Sequence, residues 1–201
     1  MLKTLFIDFD GVIRIWPKED VTRAEQMAGL PSGSLFKAAF APERLHLAIT
    51  GKWTDEVWRK QVAEDLRAAY PEADGALAVQ EWSKPSGEID QKVLAFVQRC
   101  RQQIPVTLVT NATSRLPYDL EALGLSKAFD HIVNSSDIGF FKPQPEIYQH
   151  ALDQVGVPAE NALFVDDKAE NVDAAVQLGL NGHVYTERAP LKLKLTELLS
   201  K

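Results

Sequence analysis

Asp8 and Asp10 stand two residues apart, directly before Gly11. In an extended or looped backbone, residues so spaced point to the same side, so both carboxylates can face one site. Gly11 then permits a sharp departure of the chain. A second acidic pair, Asp166-Asp167, has Asn171 one helical turn beyond it. Adjacent acids repel unless a cation compensates them, and a hard divalent ion with oxygen ligands is the natural partner. Between the pairs lie Thr110-Asn111, whose hydroxyl and backbone N–H can hydrogen-bond a phosphoryl oxygen, and Lys142-Pro143, whose ammonium can neutralise an acid–phosphate assembly. Singly, each fragment has a plain reading: a solvated turn, acids in a helix's first turn, a cap, and a helix start with Pro145 in its first turn. Together the four carboxylates make a cluster that those readings explain poorly.

The elements that must position these groups are legible as apolar runs. Residues 2–7 run straight into Asp8, residues 104–109 into Thr110-Asn111, and residues 162–165 into Asp166-Asp167, as buried strands do when they end in loops. Weaker runs lie at 131–133 and 183–185. Helical spacing joins Ile89, Val93, Phe96 and Val97, and again Ile147, Ala151, Leu152 and Val155, with Gly156 placed to stop the second and Gly124 and Gly179 to close two more. Strand and helix alternate from about residue 88, which argues for an α/β fold with a parallel sheet covered on both faces. Ligands on such sheets bind at the carboxyl ends of the strands, where the acids and Thr110 fall.

Residues 14–85 differ, with helical patterns throughout and no convincing strand. Thr54-Asp55-Glu56 is a helix start, Val57, Trp58, Val62 and Leu66 follow a helical stripe, and Pro31, Pro42, Pro71 and Pro85 divide the rest into short helices. The expected organisation is a core of residues 1–13 and 86–201 with a helical insert at 14–85.

Composition narrows the function classes. A chain of 201 residues, 45% hydrophobic, can bury one sizeable core, and a formal charge of -6 supplies no broad basic field for nucleic acid. A small phosphorylated metabolite remains compatible, because local cations or a metal can neutralise one phosphate. The single cysteine, Cys100, reads as a buried thiol. The N-terminal apolar run is too short for a signal peptide or membrane span, and a membrane anchor is not expected at the C-terminal helix, so the expected location is cytoplasmic. Neither a heptad seam nor an apolar patch speaks to the oligomeric state.

In kind, order and setting, the blocks Leu5-Phe6-Ile7-Asp8-Phe9-Asp10-Gly11-Val12-Ile13, Leu108-Val109-Thr110-Asn111, Lys142-Pro143-Gln144-Pro145 and Phe164-Val165-Asp166-Asp167 resemble the four motifs of the haloacid dehalogenase superfamily. The insert after the first motif is similar to the family's helical-cap subclass, and within it to small sugar-phosphate phosphatases. That resemblance implies a Rossmannoid core with a helical cap and an aspartyl-phosphate mechanism using Mg²⁺. Asp8 would be the nucleophile and Asp10 the acid and then the base. Thr110 and the Asn111 N–H would hold phosphate oxygens, and Lys142 would offset charge. The metal would sit among the Asp8 carboxylate, the Asp10 carbonyl and the acids Asp166 and Asp167, with Asp167 the usual direct ligand. An acid at position 10 favours phosphoesters over halides, since an alkoxide leaving group needs a proton.

Competing readings are a phosphosugar mutase of the same superfamily, a non-catalytic phosphometabolite-binding protein, and a receiver-type signalling module, whose acids come in the opposite order. Arg14 and Trp16 follow the first motif closely enough to line the place of a leaving group. Trp58 and Trp82 are expected to fill the core of the insert. The four histidines lack ligand spacing.

Overall fold

The computed structural model describes residues 1–199. In chain order its elements are β1 (Thr4–Ile7), β2 (Arg14–Ile15), α1 (Lys18–Ala28), α2 (Ser34–Ala39), α3 (Pro42–Ile49), α4 (Asp55–Ala69), α5 (Gly75–Trp82), β3 (Glu88–Ile89), α6 (Gln91–Arg101), β4 (Val106–Thr110), α7 (Leu116–Ala122), β5 (His131–Asn134), α8 (Ser135–Ile138), α9 (Pro145–Val155), β6 (Ala162–Asp166), α10 (Ala169–Gln177), β7 (Asn181–Val184) and α11 (Arg188–Leu199).

Five strands form a parallel sheet in the order β5-β4-β1-β6-β7. The chain builds from central β1 to one side and then to the other, so the strand order reverses beside β1, and the crevice at such a reversal is where α/β sheets bind ligands. Apolar side chains on both sides of the pleat explain why the runs are continuous rather than alternating. Leu5 and Ile7 enter a core with α6 and α7, while Phe6 enters a second core with α9 and α10. In the second core Tyr148 packs edge-on against Phe164, ring centroids 5.1 Å apart, and its hydroxyl donates to the Asn171 carbonyl. Each such fully buried side chain contributes about 1.5–3 kcal/mol of transfer free energy.

The five helices α1–α5 lie between β2 and β3 and have an apolar cluster of their own, centred on Trp58, Val62 and Leu66. Thr54 caps α4 by accepting from the Val57 N–H, and Asp74 caps α5 by accepting from the Leu77 N–H. Helix α2 has no cap of its own; buried Glu25 of α1 accepts from the Gly33 and Leu35 N–H groups instead.

One feature departs from the sequence reading. The region expected to lack strands contains β2, which pairs antiparallel with β3 to tie together the chain's entry to and exit from the helices. A two-residue strand is too short to show a period. The last helix takes Pro190 into its first turn, where a proline sacrifices no helical hydrogen bond. In that helix Leu191 is buried in the first core and Leu193 is exposed.

Candidate active site

Asp8 follows β1 and remains in register through its N–H, which donates to the Val165 carbonyl of β6. Its Oδ1 accepts from the Phe9 N–H at 2.7 Å. Beyond it the chain folds back tightly: the Phe9 carbonyl accepts from the N–H groups of Val12, Ile13 and Arg14, and the Gly11 N–H donates to the Arg14 carbonyl. Gly11 has φ +83°, which alone favours glycine. It also lies against the carboxylate of Asp167, with which a Cβ at this position would overlap.

Lys142 is the centre of the site. Its ammonium lies 2.7 Å from Asp8 Oδ1 and 2.7 Å from Asp166 Oδ2, and donates to the Val109 carbonyl at 2.9 Å. The Lys142–Pro143 peptide is cis. What holds this loop in place is the side chain of Asn111. Its Nδ2 donates to the Lys142 carbonyl and its Oδ1 accepts from the Lys142 N–H, both at 2.8 Å, so one amide side chain substitutes for a strand partner. Burial works against the charge on Lys142, yet Asp8 and Asp166 outweigh it and raise its pKa. Burial also pushes Asp8 up to about 7, with Lys142 opposing the rise and Asp166 adding to it.

Asp166 ends β6, fully buried, and accepts from the Lys142 ammonium, the Asn171 amide at 3.0 Å and the Lys168 N–H at 2.8 Å. Asp167 is more open, and burial followed by the Asp166 charge raises its pKa. One ligand oxygen each from Asp8, Asp166 and Asp167 fall within 4.8 Å of one another. This all-oxygen set suits a hard divalent cation such as Mg²⁺, and the missing Cβ at Gly11 leaves the Asp167 carboxylate the space it occupies. Thr110 ends β4, buried, on the strand next to Asp8.

The carboxylate of Asp10 does not join that cluster. Its Oδ1 accepts from Arg14 Nε at 2.6 Å and Trp16 Nε1 at 2.7 Å, and its Oδ2 accepts from Arg14 Nη2 at 2.9 Å. The expected four-carboxylate cluster is therefore three carboxylates, because a guanidinium fork and an indole N–H offer the fourth more donors than a crowd of acids could. Arg14 is itself buried, bonded through Nη1 to Asp119 at 2.9 Å and stacked between the rings of Phe9 and Trp16. Burial disfavours its charge, but Asp10 and Asp119 outweigh it and keep the pKa raised.

Asp119, Arg115, Arg59, Asp55 and Thr113 are residues that the sequence reading missed as part of the site's surroundings. Arg115 bonds Asp119 at 2.8 Å and the Ser83 carbonyl at 2.8 Å, while Arg59 bonds Asp55 at 2.6 Å and the Ser83 hydroxyl at 2.9 Å. Thr113, after β4, donates to Asp55 at the start of α4 at 2.7 Å. The partners are up to 105 residues apart in sequence, so no local motif betrays them. Only the i,i+4 pairs Asp55–Arg59 and Arg115–Asp119 had a visible spacing.

The chain belongs to the haloacid dehalogenase-like hydrolase family, whose sequence profile matches residues 2–179. Among curated relatives it is 29% identical over 98% of its length to the drimenol cyclase drtB of Aspergillus calidoustus, and 24% identical over its full length, and the relative's full length, to a D-ribitol-5-phosphate phosphatase of Bacteroides thetaiotaomicron. It covers 37% of the first of these, and about a third of the other curated relatives matched most strongly. Among solved structures, a haloacid dehalogenase family enzyme of Bacteroides thetaiotaomicron in complex with magnesium and inorganic phosphate superposes with a TM-score of 0.74 at 17% identity, over 95% of this chain and 99% of that one. Among the described residues, no helix is long and apolar enough to cross a membrane.

Proposed function

We propose that the chain is a magnesium-dependent phosphomonoester hydrolase acting on a small phosphorylated metabolite through an aspartyl-phosphate on Asp8. The observation that carries this reading is the convergence of Lys142 and three carboxylates on the carboxyl ends of adjacent strands β1 and β6. A lone structural ion pair would not call for a third acid beside it.

In the proposed mechanism an Asp8 oxygen bonds to phosphorus as the bond from phosphorus to the leaving oxygen breaks, and Asp10 supplies that oxygen's proton. Asp10 then takes a proton from water as the water oxygen attacks phosphorus, releasing inorganic phosphate and the free Asp8 carboxylate. Thr110 and the Asn111 N–H hold phosphate oxygens, and Lys142 balances the charge of Asp8 and the phosphate. The residues that would hold Mg²⁺ are Asp8, Asp166 and Asp167, with the Asp10 carbonyl; bound there, it supplies a cation against the charge of the transferring phosphate. The helices of residues 14–85 act as the cap over this face. Full-length likeness to a relative named as a phosphatase favours water over a sugar hydroxyl as the acceptor.

The test is phosphate release from a panel of phosphomonoesters, with Mg²⁺ and with chelator, for the natural chain and for Asp8→Asn. Release that requires the metal and falls on the order of 10⁴-fold or more in the variant is expected. Equal release by the variant, or release indifferent to chelator, would remove the proposal.

A further inference from the structure

A cavity of about 510 Å³ opens from Asp10 and Asn111 into the helical insert. Its walls include Trp16, whose Nε1 donates to Asp10, and Phe36, Phe40, Ile49, Trp58 and Trp82. Phe36 is 56% exposed and Phe40 43%, stacked on each other with ring centroids 4.4 Å apart, and Trp16 is 39% exposed. These large apolar faces are left open to solvent inside a concave site that begins at the group proposed to protonate the leaving oxygen.

The cavity also has charged residues in its walls, but most of them are bonded to one another. Arg14 is held by Asp10 and Asp119, Arg115 by Asp119, and Arg59 by Asp55, while Glu25 is occupied by two backbone N–H groups. A polyhydroxylated leaving group needs a partner for each hydroxyl taken out of water, and beyond Lys18, Asp20, Thr22 and Ser32 it would have to compete with these pairs to find one. A hydrocarbon needs only to cover the open aromatic faces, which is itself favourable.

We infer that the alcohol released by this site is apolar: the phosphate of an alkyl or aryl monoester stands at Asp8, and its hydrocarbon portion lies against Phe36, Phe40 and Trp16. The inference rests on the phosphatase reading and names its substrate class. The alcohol leaves with the proton from Asp10, and its hydrocarbon needs none of the paired charges in the wall.

The test compares kcat/KM for n-octyl phosphate, glycerol phosphate and a hexose phosphate, with Mg²⁺, for the natural chain and for Phe36→Gln and Phe40→Gln. Octyl phosphate is expected to exceed both polar esters by about a hundredfold, and each substitution to reduce that preference by roughly tenfold. If the polar esters are hydrolysed as well as octyl phosphate or better, the inference falls while the phosphatase reading stands. If the preference is unchanged in both variants, the hydrocarbon lies elsewhere and the inference falls. If none of the three esters is hydrolysed, the phosphatase reading fails and takes the inference with it. Thermal melts that match the natural chain show that the variants are folded.

Discussion

Arg14 grips Asp10 with two of its nitrogens, Nε on one carboxylate oxygen at 2.6 Å and Nη2 on the other at 2.9 Å, while its third nitrogen is anchored on Asp119. The guanidinium cannot follow a small movement of Asp10 without losing its hold on Asp119, so the aim of the proposed acid is set by a residue on α7.

Arg14→Gln is expected to lower kcat by about 10²-fold with a smaller effect on KM, because Asp10 loses the fork that orients it. The loss should be greater for an alkyl ester, whose leaving oxygen needs a proton, than for a nitrophenyl ester, whose leaving oxygen does not. Steady-state kinetics on the two esters check this; an equal loss on both would mean that Arg14 supports the fold alone.

Lys142→Met leaves Asp8 and Asp166 buried and deprived of their shared cation. Removing one side of a buried ionic cluster costs about 3–5 kcal/mol. Denaturant unfolding should show that loss in chelator and a smaller loss in Mg²⁺, since a divalent cation replaces part of the missing charge, and phosphate release should be abolished in both.

Gly11→Ala combines a disfavoured φ of +83° with overlap of the new methyl group and the Asp167 carboxylate. The backbone conformation costs about 1–2 kcal/mol, and displacement of Asp167 is expected to raise the Mg²⁺ concentration needed for half-maximal activity by about 10- to 100-fold. A magnesium titration of activity, with a melt in chelator, separates the two effects.

Asp130 lies far from the site and tests the sheet instead. It accepts from the Val106 N–H that opens β4 at 2.9 Å and from Arg101 Nε at 3.0 Å. Partial burial works against its charge, but these partners outweigh it and hold its pKa below the ordinary 3.8. A depressed pKa in the folded state contributes stability above the unfolded value and loses it as pH falls through the folded one. Asp130→Asn is therefore expected to cost about 1 kcal/mol at neutral pH, with the gap from the natural chain closing as pH falls below 3.8. Denaturation midpoints across that range check it.

The parallel core was legible because β1, β4 and β6 are buried on both faces, so their sequences are mainly apolar runs interrupted only by Thr4 and Thr107, each leading to a residue of chemical interest. The sequence also suggested where Asp8, Thr110 and Asp166 should stand, since a strand's end is a fixed place in a parallel sheet; Lys142 belongs to the loop between α8 and α9, which that rule does not place. It could not show which way Asp10 turns. Side chains two apart share a side only while the backbone stays extended, and the turn at Gly11 ends that condition. Nor could it show that the Asn111 side chain braces the Lys142 loop, for that pairing spans 31 residues and the hydrogen bonds use backbone atoms that any residue possesses. Trp58 was expected in the core of the insert and is buried in the apolar cluster of α1–α5, yet it also borders the cavity.

The ribbon of β2 and β3 has a consequence for how this architecture can diversify. Arg14 pairs with Ile89 and Ile15 with Glu88, so everything between leaves and re-enters the sheet domain through a single doorway two residues deep. The five-stranded sheet takes none of its strands from what lies beyond that doorway. A grafted loop of different length, or a helical cassette from another protein, could be sewn in at these four residues while Asp8 and Asp166 keep their places, so new selectivity can be acquired with the donor to Asp10 at Trp16 as the one part of the chemistry to restore.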